Sequence, residues 1–197
     1  MNFKGEVLSR TIVRNNIVKT LRKSEGYKYD DWYIQANSTM ADIVFEFNTK
    51  YSMKQVTAIT AAFSPLKSWS QNVKLTRAFL EGQRTGHFKS SMSKALAILE
   101  LGVDEDDNQK FLDILNGNKI SSFFMNILDP NNTSIVTIDR HAISIALGRT
   151  ATQKEQSLTK NQYEFFVQCY VWTAEQLGIT PSDLQGRTWS AWRGSAE

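Results

Sequence analysis

The 197-residue sequence has few of the residues that build disulfides and metal sites. It contains one cysteine, Cys169, and two histidines. A single cysteine excludes a disulfide framework within the chain. Cysteine and histidine together are too few for a zinc site or for a cysteine-ligated iron–sulfur cluster. We therefore expect no metal and no other cofactor.

The sequence also lacks long apolar runs. No stretch approaches the roughly 20 apolar residues that a membrane-spanning helix needs, and the opening MNFKGEVLSR has no signal-peptide core. With 41% hydrophobic and 22% charged residues, the chain is too apolar to be disordered. These features predict a single globular unit spanning residues 1–197 that is cytoplasmic and has no membrane partner. We expect it to be a monomer.

Positive charge is concentrated in two segments. Residues 1–28 and residues 67–94 each carry a net charge of +5, whereas the whole chain carries only +3, so the remainder is acidic. Such segregation suits a protein with one DNA-facing side. Solvated helix faces that happen to be basic would give the same pattern.

Apolar residues recur at helical spacing along most of the chain, which predicts an all-α fold. The apolar stripes of the first two helices are Leu8, Ile12, Ile17, Val18, Leu21 and Ile34, Met40, Ile43, Val44, Phe47. Residues 56–63 are predicted to form a buried helix, and Ser68 to cap the next one. Only residues 134–138 look extended, and His87 is assigned to a surface turn.

The most informative stretch is residues 111–148, FLDILNGNKISSFFMNILDPNNTSIVTIDRHAISIALG. A hairpin at residues 115–119 separates two helical patterns, and a short extended segment then leads into Asp139, 20 residues after Lys119. This order of hairpin, helix, extended segment and aspartate resembles the core of the helix-hairpin-helix, endonuclease III-like DNA glycosylases. The chain looks like a divergent member of the phage or prophage type.

The resemblance implies a role for each matching residue. Asp139 would stabilise the sugar cation that forms as a base leaves, and Lys119 would be a candidate nucleophile. DNA contacts would come from the hairpin and from the residue after the aspartate, with His141 in support: Gly117, Asn118, Lys119 and Arg140. Two other interpretations remain open, because an aspartate before an apolar helix is a common N-cap and a lysine at a helix start can simply contact phosphate.

A second stretch, residues 61–73 (AAFSPLKSWSQNV), resembles the glycosylase turn that wedges a side chain into the base stack. Leu66 falls at the wedge position, where it could fill the gap left by an extruded base. Lys67, Ser68 and Asn72 would contact DNA beside it, with Trp69 in support. The alternative is that Leu66 is an ordinary turn residue packed on Trp69.

Together, these motifs imply a two-lobed helix-hairpin-helix fold. Lobe A would cover about residues 50–137, lobe B about 1–49 plus 138–197, and Asp139 would lie in the cleft between them. The implied function is excision of a modified base from double-stranded DNA, with a phage-modified pyrimidine as the favoured substrate, in a bacterium or a phage-infected cell. The alternatives are a base-hypermodification enzyme of the same fold and a non-catalytic DNA-binding module. Trp189 and Trp192, three residues apart near the end of the chain, are expected to pack side by side and close the core.

Overall fold

The computed structural model describes residues 1–24, 31–84 and 88–194, and these residues are mostly helical, as the sequence predicts. The helices, in chain order, are α1 (Arg10–Leu21), α2 (Trp32–Glu46), α3 (Met53–Phe63), α4 (Trp69–Leu80), α5 (Lys89–Glu100), α6 (Asn108–Leu115), α7 (Asn118–Leu128), α8 (Arg140–Leu147), α9 (Gln153–Gln156), α10 (Lys160–Leu177) and α11 (Pro181–Arg193). A 3-10 turn, Arg22–Ser24, follows α1. None of the described helices is both long and apolar enough to cross a membrane.

Local sequence signals explain most helix boundaries. Ser68 caps α4 as predicted. Its hydroxyl accepts the backbone N–H of Gln71, and the side-chain carbonyl of Gln71 accepts the backbone N–H of Ser68. Gly178 ends α10 in the left-handed conformation, with φ of 69°. Pro181 occupies the first turn of α11, where its missing N–H costs nothing. The predicted all-α class and the predicted cap at Ser68 are therefore confirmed.

The prediction that residues 134–138 are the only extended segment is wrong, because it missed two short strands. That segment is neither helical nor part of a sheet in the structure. The strands are instead β1 (Asn2–Phe3) and β2 (Glu6–Val7), which pair antiparallel near the start of the chain. Strands of two residues are too short to show a period-2 pattern in sequence, and their short connection through Lys4 and Gly5 uses positive φ at both residues.

The predicted apolar stripes are correct for most residues but wrong for two. Ile12 is 46% exposed and Ile34 is 51% exposed, while their neighbours Val13 and Tyr33 are buried. Other predicted positions that define the inward-facing side, including Ile17, Met40 and Ile43, are buried. Tyr33 is buried although it is polar at its tip, because its hydroxyl donates to the side-chain carbonyl of Gln185 at 2.9 Å.

The chain divides into two compact units. Unit 1 contains Met1–Ile34 and Asp129–Ala196, and unit 2 contains Gln35–Leu128. The divisions predicted from the sequence fall after residues 49 and 137. The core of unit 1 is built around α1, α8, α10 and α11 by buried side chains that include Val13, Ile17, Val136, Ile138, Ile143, Phe166, Tyr170 and Leu184.

Unit 2 is organised around α3. Every residue of α3 from Gln55 to Phe63 is buried, as the small and apolar sequence of this helix predicts. Phe63 packs edge-on against Phe79 of α4, with ring centroids 5.3 Å apart. Phe111 of α6 stacks on Phe124 of α7 at 5.8 Å. These contacts pack α3 against α4 and α6 against α7.

Candidate active site

Asp139 lies in unit 1 at the point where a buried segment enters α8. Val136, Thr137 and Ile138 are buried and anchor the chain just before the helix begins. The side chain of Asp139 then caps α8, with Oδ1 accepting the backbone N–H groups of His141 at 2.9 Å and Ala142 at 2.8 Å. The N-cap interpretation of Asp139 is therefore confirmed, and the catalytic interpretation stays a prediction.

The second oxygen of Asp139 is held by a residue that the sequence analysis assigned to the core. The indole Nε1 of Trp189, in α11, donates to Oδ2 at 3.2 Å. Trp192, three residues later, packs against the core of unit 1. The two tryptophans thus have different roles, because only Trp189 turns its N–H toward the carboxylate.

Two arginines border the rings next to Asp139. The guanidinium of Arg193 lies over the Trp189 ring, 4.6 Å from its centroid. Trp189 in turn meets His141 edge-on, with ring centroids 6.0 Å apart. Arg140 donates from Nε to His141 Nε2 at 3.2 Å. Both guanidinium groups belong to exposed residues, so two cations reach solvent beside the rings that contact Asp139.

A buried tyrosine contacts the first turn of the helix that Asp139 caps. Tyr170 of α10 donates its hydroxyl to the backbone carbonyl of Ala142, in the first turn of α8, at 3.2 Å. Burial raises the pKa of Tyr170 well above its ordinary value, and the negative charge of Asp139 raises it further. Tyr170 therefore stays neutral and serves as a hydrogen-bond donor that fixes α8.

In unit 2, the α3–α4 turn presents Leu66 to solvent. Leu66 is 80% exposed and adopts a φ of 61°, a conformation that side-chain-bearing residues rarely take. Lys67 beside it is exposed, and Ser68 is occupied as the cap of α4. Asn72 is buried, and its amide donates to the Thr60 carbonyl at 2.9 Å, so its position suits holding the turn in place.

Trp69, which the resemblance places in support of the wedge, lines an open groove of about 570 Å³ in unit 2 together with Val73, Lys74 and Arg77. Arg77 is engaged there by a two-pronged contact with Glu46, at 2.7 and 2.8 Å. A second cavity of about 470 Å³ lies in unit 1 near the start of α11. Asp139 lines neither cavity.

The α6–α7 turn carries the remaining predicted residues. The left-handed residue is Asn116, with φ of 40°, rather than Gly117. Helix α7 begins at Asn118, one residue before the predicted start at Lys119, and both residues are exposed. Lys94 donates its ammonium to the Leu115 carbonyl at the end of α6, which adds a cation to this turn.

Two residues that the sequence interpretation uses are not among those that the structure describes. His87 and the basic residue Lys28 lie outside the described residues. Among the residues that the structure does describe, no three histidine, cysteine, aspartate or glutamate side chains are grouped as a metal site would require.

The fold and the site define a mostly helical protein in which a half-buried aspartate caps a helix and accepts a hydrogen bond from a tryptophan. Residues 4–196 match the model of DUF7178, described as a family of unknown function, and the chain belongs to that family. No curated protein and no solved structure matches the chain.

Proposed function

We propose that this protein is a divergent helix-hairpin-helix DNA glycosylase that excises a modified base, with Asp139 stabilising the reacting sugar. The observation that carries the proposal is the set of contacts around that carboxylate. A carboxylate offers about four lone-pair directions on its two oxygens. Three are used by the N–H groups of His141, Ala142 and Trp189. One direction on Oδ2 remains for a sugar cation or a water molecule.

The geometry suits the chemistry of N-glycosidic cleavage. When the bond between C1′ and the base nitrogen breaks, the electron pair leaves with the base and positive charge develops on the sugar. A fixed carboxylate stabilises that charge without having to reorganise during the reaction. Water then adds to C1′ and loses a proton, while the departing base gains one. The three N–H donors hold Asp139 in one orientation throughout these steps.

Leu66 supports the same proposal from unit 2. Placing a leucine in the left-handed region costs about 1–2 kcal/mol relative to glycine, and exposing its side chain gives up the burial that would offset this cost. Strained residues of this kind concentrate at functional sites. A leucine presented this way can enter the base stack when a nucleotide is flipped.

The hairpin would supply duplex contacts. Because Gly117 precedes α7 and has no side chain, it cannot cap the first N–H groups of that helix, and these remain suited to a phosphate oxygen. Asn118, Lys119 and the exposed Lys67 add polar and positive groups on unit 2. Lys119 lacks the burial that activates lysine nucleophiles, so we assign it to phosphate contact rather than to attack on the sugar.

The proposal is tested by measuring released bases. A panel of modified genomic DNAs is incubated with the protein, and free bases are identified by mass spectrometry. Asp139→Asn keeps the size and capping ability of the residue but removes its charge, so we expect base release to fall by at least about a hundredfold. Asp107→Asn is the matched control, because Asp107 is also an N-cap, accepting the backbone N–H of Gln109 in α6, but belongs to unit 2. Equal turnover in the two variants contradicts the assignment.

The products also separate the alternatives. Free base with abasic DNA indicates excision, whereas an altered base retained in the DNA indicates a hypermodification enzyme. DNA binding without either product indicates a non-catalytic module. Borohydride added during turnover tests Lys119: an adduct between protein and DNA that disappears in Lys119→Gln makes it the nucleophile, and its absence during efficient base release leaves Lys119 a binding residue.

A further inference from the structure

The end of α11 contains a charged group that neither the glycosylase resemblance nor the proposed reaction uses. Arg193 is exposed, and its guanidinium rests on the face of Trp189, 4.6 Å from the ring centroid. Within residues 1–24, 31–84 and 88–194, no acidic side chain pairs with Arg193. Contact with the indole restricts the side chain, and the guanidinium carries five N–H donors.

Arg193 and Asp139 are linked through one side chain, that of Trp189. Trp189 contacts both residues: its N–H is on Asp139 Oδ2 at 3.2 Å, and its ring face is under Arg193. A phosphodiester that approaches Asp139 is repelled by the carboxylate, because both groups are negatively charged. A guanidinium on the same indole offsets that repulsion. Arg140, which donates to His141, adds a second positive charge.

We propose that Arg193, seated on Trp189, binds a DNA phosphate next to the nucleotide that Asp139 acts on. This inference rests on the proposed function for the identity of the nucleotide, but the phosphate contact itself does not require base release. The planar guanidinium matches two phosphate oxygens at once, which an ammonium cannot do. Trp189 thereby serves as a positioning residue for two groups of opposite charge.

A simpler interpretation is that Arg193 only stabilises the end of its own helix. A cation in the last turn of a helix interacts favourably with the helix dipole. That role predicts an effect on thermal stability and none on DNA. The two interpretations therefore differ in what a substitution changes, and binding measurements separate them.

The experiment measures the affinity of the full chain for an unmodified DNA duplex as a function of salt concentration. Arg193→Gln removes the charge, and we expect about tenfold weaker binding at low salt. The slope of log affinity against log salt should be shallower by about 0.9, which is the contribution of one phosphate contact through counterion release. Arg193→Lys keeps the charge and should restore the wild-type slope while binding about threefold more weakly, because the flat two-pronged contact is lost.

Lys154→Gln is the matched control, since Lys154 is an exposed cation of unit 1 outside the basic segments and its loss changes the net charge equally. A reduced slope in Arg193→Gln alone supports the phosphate site, whether or not any base is released. The same slope in wild type, Arg193→Gln and Lys154→Gln overturns it, even if base excision is intact. Loss of slope in Arg193→Lys as well also overturns it, because a phosphate contact tolerates either cation.

Discussion

The two units present their candidate functional residues in opposite ways. In unit 1, Asp139 is half-buried and accepts hydrogen bonds from three N–H groups, which set the orientation of its carboxylate. In unit 2, Leu66 is exposed on the α3–α4 turn and Lys119 is exposed in the first turn of α7, and only the backbone sets where they are. A charge that must stabilise a reacting atom needs the first arrangement. Groups that follow the surface of a duplex can use the second.

Two glycines that follow helix ends also differ between the units in how closely other atoms surround them. Gly148 in unit 1 has φ of 71°, and a Cβ there would lie 2.9 Å from Asn16 Oδ1. Gly117 in unit 2 has no such constraint, since its nearest neighbour would be the Leu115 carbonyl at 4.0 Å. We expect Gly148→Ala to lower the free energy of unfolding by about 2–3 kcal/mol, from backbone strain and from displacing Asn16, whose amide donates to the Ala146 carbonyl at 2.9 Å.

Gly117→Ala provides the comparison within the same chain. We expect its unfolding free energy to stay within about 0.5 kcal/mol of wild type. Urea denaturation of both variants, followed by circular dichroism, measures the difference. Equal losses in the two variants would show that the closely packed backbone of unit 1 is no more constrained than the hairpin of unit 2.

Trp189→Phe isolates the hydrogen bond to Asp139. Phenylalanine keeps a ring beneath Arg193 but has no N–H for Oδ2, so the carboxylate loses one of its three donors. Hydrogen bonds to charged groups contribute about 1.5–3 kcal/mol, and we expect single-turnover base release to slow by at least about tenfold. DNA affinity should not change. A drop in affinity with an unchanged rate would mean that Trp189 matters only as the seat of Arg193.

Leu66 can be changed in two ways that separate its side chain from its backbone. Leu66→Ala and Leu66→Gly both remove the exposed wedge, so we expect both to slow base release by about tenfold, as for loss of a group that fills the unstacked site. They differ in stability, because glycine relieves the strain of the positive φ and alanine does not. The glycine variant should therefore melt at a higher temperature than the alanine variant. Wild-type activity in both variants would make Leu66 an ordinary turn residue.

An acid-sensitive contact follows α8 in unit 1. Hydrogen bonds from Arg149, at 2.8 and 3.0 Å, hold the pKa of the buried Glu155 carboxyl at about 2. Because the folded-state pKa lies below the ordinary value of 4.5, this contact stabilises the fold above about pH 4.5 and the benefit is lost as the pH falls toward 2. Melting temperatures measured across that range should decline less steeply in Glu155→Gln. An identical decline would assign the acid sensitivity to other groups.

Much of the fold follows from local sequence patterns, whereas the site depends on distant contacts. Ser68, Asp139 and Gly178 mark helix ends by chemistry that acts within four residues, and such signals are visible in one segment. The strands at Glu6–Val7 and Asn2–Phe3 are too short to leave a pattern. The role of Trp189 could not be predicted, because 50 residues separate it from Asp139 and helix spacing alone assigned it to the core.

The charge of Asp139 is tested most directly with two DNA duplexes that need no known substrate base. One contains a pyrrolidine abasic analogue, whose ring nitrogen is positively charged like the reacting sugar, and the other contains the neutral tetrahydrofuran analogue. A fixed carboxylate should bind the cationic analogue more tightly by at least about a hundredfold. We predict that Asp139→Asn abolishes this preference while Asp107→Asn retains it. A preference that is unchanged in Asp139→Asn would contradict the assignment of Asp139 as the group that stabilises the sugar cation.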